Sequence, residues 1–150
     1  MKYNIENTLK SHLLPSGLSA SGKSVSLLTG LAILVIEPDT FLALDIVQEI
    51  EALGGTAIGP VASLAEAQSA MNDHHFSAAL VNADIDDQVC DLFSRLETLG
   101  LPHVAHSASG VRWCVKDGTP HFTRPIDTRL MLRSLSREVT RLGDERLQQA

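Results

Sequence analysis

The run LAILVIEPD at residues 31–39 constrains this chain more than any other stretch. Its unbroken aliphatic part leaves no polar face, so a strand formed there must be covered on both sides. That is the condition of a central strand in a parallel sheet. The run then stops at Glu37, Pro38 and Asp39. Ligands of such sheets gather at the carboxyl ends of the strands. The two acids therefore mark that edge as the place for chemistry, and Pro38, which has no N–H, marks a disturbance of it.

The rest of the chain alternates around this strand. Residues 40–53 carry Phe41, Leu42, Leu44, Ile46, Val47, Ile50 and Leu53 at helical spacing, and Gly54 and Gly55 follow as a stop. Residues 56–61 read as a short strand. Ser63 and Glu66 have the spacing of a reciprocal helix cap and open a helix to about residue 72. FSAALV at 76–81 is a second wholly apolar strand, ending at Asn82 before an acidic loop with Asp84, Asp86 and Asp87. A helix over 87–99 shows Val89, Leu92, Phe93 and Leu96 on one face. LPHVAHS at 101–107 and residues 120–123 are further strands, and the stretch between them has so little periodicity that any helix there is short. Residues 127–142 form a last helix with Arg129, Arg133, Arg137 and Arg141 at every fourth position. The order implies an α/β fold of three layers, an open, doubly wound parallel sheet with helices on both faces.

At 150 residues and 44% hydrophobic content the chain suffices for one domain. We place it at residues 31–142, after a Ser/Gly-rich tail or linker at 1–30 that holds a short helix over 5–14, and before a tail or helix end at 143–150. A net charge of −6 argues against nucleic acid as a partner. The apolar runs are too short to span a membrane, and the first residues lack the apolar core of a secretory signal, so a cytoplasmic location is expected. Cys90 and Cys114 are expected as free thiols in that compartment.

Several local patterns invite sharper readings. GLSASGKS at 17–24 fits the phosphate-cradling G-x-x-x-x-G-K-S pattern, with Gly22, Lys23 and Ser24 as its reactive end. A working loop of that kind follows a buried strand, and none precedes it here, which leaves a small nucleotide-binding protein as a distant alternative. His103 and His106 lie three apart on a strand and point to opposite faces, so they do not chelate together. His74 and His75 fall in a turn, and the Asp84, Asp86 and Asp87 group reads as a solvated helix N-terminus. The arginine row either docks an acidic partner or a second subunit, or is a solvated face paired with Glu138 and Glu145.

Four strand ends in this order, VIEPD, LVNADID, HVAHSA and HFTRPID, resemble those of the receiver domains of bacterial two-component response regulators. The likeness runs over residues 31–139. It implies the five-stranded flavodoxin-like receiver fold, with a short or remodelled fourth helix, because the span from Ser107 to Arg124 is several residues short. In that family an aspartate after the third strand accepts a phosphoryl group beside Mg²⁺, which makes the approach of two anions tolerable. Here the resemblance puts Asn82 at the phosphoacceptor position, and an amide is a poor nucleophile. Glu37 keeps the first metal-binding acid and Pro38 replaces the second. Arg124 replaces the phosphate-binding lysine, Ser107 keeps the hydroxyl, and His121 occupies the place of an aromatic switch residue. With two of three carboxylates gone, Mg²⁺ should bind at most weakly. The resemblance therefore implies a non-enzymatic, phosphorylation-independent signalling module without a resident cofactor. It would act through protein contacts with a histidine kinase or another signalling protein, or as a homodimer through its last helix or N-terminal segment. A relay protein phosphorylated on Asp84 or Asp39 is the alternative.

Overall fold

The computed structural model describes residues 25–108, 110 and 114–150. The short helix expected over 5–14 and the 17–24 phosphate-loop pattern lie outside them. In chain order the elements are β1 (Ala32–Ile36), α1 (Thr40–Ala52), β2 (Thr56–Val61), α2 (Leu64–Asp73), β3 (Ala78–Asn82), α3 (Val89–Thr98), β4 (His103–Ser107), β5 (His121–Thr123) and α4 (Thr128–Gln148). The five strands form one parallel sheet in the order β2-β1-β3-β4-β5, so the aliphatic run is indeed interior.

Alternation along the strands divides the core in two. Leu34, Ile36, Ala79, Val81 and Ala105 face Ala67 and Met71 of α2 and Leu92, Phe93 and Leu96 of α3. Ile33, Val35, Ala78, Leu80 and Val104 face Ile46 and Ile50 of α1 and Met131, Leu132 and Leu135 of α4. Each fully buried aliphatic side chain is worth about 1.5–3 kcal/mol, which is why a strand with no polar residue settles at the centre.

The helix ends follow local chemistry. Asp39 caps α1, its Oδ1 accepting from the N–H groups of Phe41 and Leu42 at 3.0 and 3.2 Å. Ser63 Oγ accepts from Glu66 N at 3.1 Å, as the cap spacing predicts, but the Glu66 carboxylate returns to Ala62 N, one residue earlier than in a reciprocal box. Gly54 closes α1 at φ +84°, and a Cβ there would lie 2.8 Å from Ser26 Cβ. Packing begins ahead of β1, since Leu28 is fully buried and its N–H donates to Leu53 O. At the other end, α4 continues to Gln148.

Among the described residues between β4 and β5 there is no helix, only turns. Val115 is nonetheless buried in the α2/α3 core. The expectation of free thiols is corrected here: Cys90 and Cys114 form a disulfide with a Cα–Cα distance of 5.4 Å. Compartment alone argues for thiols, whereas packing of Cys114 and Val115 against α3 brings the two side chains within bonding reach. Among the described residues no helix is long and apolar enough to cross a membrane.

Candidate functional site

The strand register sets the site. Ile36 pairs with Val81, so Glu37 and Asn82 are neighbours one step on, and Asn82 pairs with His106. All three lie on the α1/α4 side of the sheet, in a lateral row at the carboxyl edge. They are 2%, 4% and 0% exposed respectively. A carboxylate in so dry a position is tolerable only with donors around it.

Those donors are present. Asn82 Nδ2 lies 3.1 Å from both Glu37 Oε1 and Oε2, and Asp39 N donates to Oε1 at 2.9 Å. The amide orientation is fixed from its other end, because Asn82 Oδ1 accepts from Asp84 N at 2.8 Å. His106 Nε2 lies 2.8 Å from Glu37 Oε2, with both side chains completely buried. Among the described residues neither ring nitrogen of His106 makes a hydrogen bond. The pair is thus a close electrostatic contact rather than a directed bond.

A second group continues the row across the rim. Asp84 is exposed, and its Oδ2 accepts from Ala108 N at 2.7 Å. The buried Ser107 hydroxyl donates to Gly110 O at 2.6 Å and lies 3.1 Å from His121 Nε2. With its single proton given to the carbonyl, the Ser107 oxygen accepts from His121 Nε2–H, which sets the tautomer. Partial burial holds the His121 imidazole below its ordinary pKa; nearby His106 adds to this and Asp84 opposes it.

The structure thus joins Glu37, Asn82, Asp84, Ser107 and His121 in one cluster. It leaves out three expected positions. Asp39 serves as a helix cap, Pro38 is exposed, and Arg124 is exposed, with its backbone N–H donating to Ser107 O at 3.3 Å. His103 and His106 do face opposite ways, His103 packing on the Phe93 ring with centroids 5.8 Å apart. Sequence reasoning missed His106 as a site residue. The signal was available: on a strand otherwise alternating with apolar residues, it sits two positions after Val104, on the same inward face.

The donor set fits Mg²⁺ poorly. This ion needs near-octahedral oxygen donors, usually carboxylates. Glu37 is the one buried carboxylate of the row, and its oxygens already face an amide, a backbone N–H and an imidazole. Among the described residues no group of three or more His, Cys, Asp or Glu side chains is placed to hold a metal.

No protein-family profile and no curated protein matches the chain. Solved structures do. A CheY-like response regulator receiver domain protein from Methanospirillum hungatei superposes with a TM-score of 0.64 at 17% identity, over 79% of this chain and 98% of that one. An orphan response regulator of H. pylori gives 0.63 at 14% identity, over 75% and 98%. A response regulator from Thermotoga maritima gives 0.62 at 17% identity, over 75% and 99%. At such identities the likeness establishes the fold, the five-stranded parallel α/β fold of receiver domains.

Proposed function

We propose that the chain is an atypical receiver module of two-component signalling that works through protein–protein contacts, with no phosphoryl transfer and no resident metal. One observation carries this reading. Where a receiver needs an anionic nucleophile and an open cation site, this chain has the Asn82 amide bonded to a buried Glu37 whose oxygens are already occupied. A neutral amide does not form an acyl phosphate, and a carboxylate held by N–H donors offers little to a hard cation. The fold shared with receiver domains supports the signalling class. A histidine kinase or another signalling protein, or a second copy of this chain, is the kind of partner it implies.

An amide NMR titration with Mg²⁺ and then beryllofluoride, a phosphoryl mimic, tests this. Unshifted signals for Glu37, Asn82, Asp84, Ser107 and Arg124 at millimolar concentrations are expected. Saturable shifts converging on them would sink the reading. Asp84→Asn and Asp39→Asn would then decide which carboxylate accepts the phosphoryl group in the alternative reading.

A further inference from the structure

The chain has only two cysteines, and they meet. Cys90 is the second residue of α3, and Cys114 lies in the connection between β4 and β5, 24 positions away. The next two residues are fastened to the same helix. Val115 is buried in the core that holds Leu92, Phe93 and Leu96, and Lys116 Nζ lies 3.3 Å from Glu97 Oε2. The last of these contacts is exposed and screened, so it holds weakly. Cys114–Cys90 is the covalent member of the three.

What this fastening steadies is β5. That strand is three residues long and, among the described residues, stands at the sheet edge and pairs with β4 alone. Downstream it is held by α4, which packs through Met131, Leu132 and Leu135. Upstream it is held by the tie to α3. The strand carries His121, whose contact with Ser107 closes the far end of the candidate site. Both cysteines are partly exposed rather than sealed in the core, the setting in which thiol–disulfide exchange occurs.

We propose that Cys90–Cys114 is a redox-active site, reducible by thiol–disulfide exchange with a dithiol, and that its reduction loosens β5 and the Ser107–His121 contact while the rest of the sheet stays folded. In the exchange the S–S bond breaks and two electrons pass from the dithiol, which closes its own disulfide. Each Sγ takes up one proton. The effect is confined because β1, β3 and β4 are buried along almost their whole length, whereas β5 is half-exposed. This inference stands on α3 and β5 and does not depend on how the chain signals.

The test uses the full chain, purified without reductant and then treated with dithiothreitol. Intact mass should rise by two hydrogens on reduction. Amide exchange in β5 should quicken on the order of tenfold or more, the His121 ring signals should move, and β1 and β3 should keep their protection. A Cys90→Ser, Cys114→Ser variant should match the reduced chain and ignore dithiothreitol. Three results would overturn the proposal. One is free thiols that persist after exposure to oxidised glutathione. Another is β5 and His121 signals indifferent to reduction. The third is loss of protection throughout the sheet, which would make the disulfide a general staple rather than a local control.

Discussion

Asn82→Asp restores the carboxylate that a phosphorylated receiver would carry, and the geometry makes it costly. Asn82 Nδ2 lies 3.1 Å from each Glu37 oxygen, and both side chains are buried. A second carboxylate there turns the attraction into repulsion, about 4 kcal/mol for unit charges about 4 Å apart at an effective dielectric of about 20. Losing the charge-assisted hydrogen bond adds about 1.5–3 kcal/mol. The protein escapes part of this by keeping one proton. Raising one carboxyl pKa from about 3.9 to about 7 costs about 4 kcal/mol, at about 1.36 kcal/mol per unit, and that caps the repulsive part. The protonated carboxyl then donates to Glu37 in place of the amide and recovers the lost hydrogen bond, so the variant should be about 3–5 kcal/mol less stable at pH 7.5. Its folded state then binds more protons than its unfolded state, so the deficit should shrink as pH falls, by about 2–3 kcal/mol at pH 5. Urea denaturation of parent and variant at both pH values measures this, with effects common to both chains cancelling. A deficit below about 1 kcal/mol that does not change with pH would refute the idea that Asn82 neutralises the row.

The site and its supports give three further predictions. The His121 pKa lies below about 6.5 in the folded chain, so the unfolded state binds more protons near that pH. The resulting stability is present above that value and is lost as pH falls through the folded pKa; imidazole NMR should show the low titration, and His121→Gln should flatten this part of the pH dependence. Asp39→Ala removes the cap on α1 and should cost about 1 kcal/mol in urea denaturation, leaving the Glu37 row and its NMR signals otherwise in place. Leu135→Ala, in the core, should cost about 2–5 kcal/mol, whereas Leu147→Ala, on the exposed end of α4, should stay within about 0.5 kcal/mol.

The sequence by itself determined the architecture. An aliphatic strand with no polar face has to be interior, and the spacing of Ile46 and Ile50 or of Met131 and Leu135 turns one face of each helix toward it. It also placed Glu37, Asn82 and Ser107 at one edge, because apolar runs end where the chain leaves the core, and parallel strands bring those ends together. What only the tertiary structure decided were the lateral relations. Register across β1, β3 and β4 set His106 beside Glu37, an association that no spacing along a single strand encodes. Helix capping took Asp39 out of the cluster, since the same carboxylate at a strand end also satisfies the first N–H groups of α1. The disulfide was decided in the same way. Cys90 and Cys114 are 24 residues apart in the chain and have Cα atoms 5.4 Å apart in space, because residues 114–116 lie against α3 with Val115 buried there.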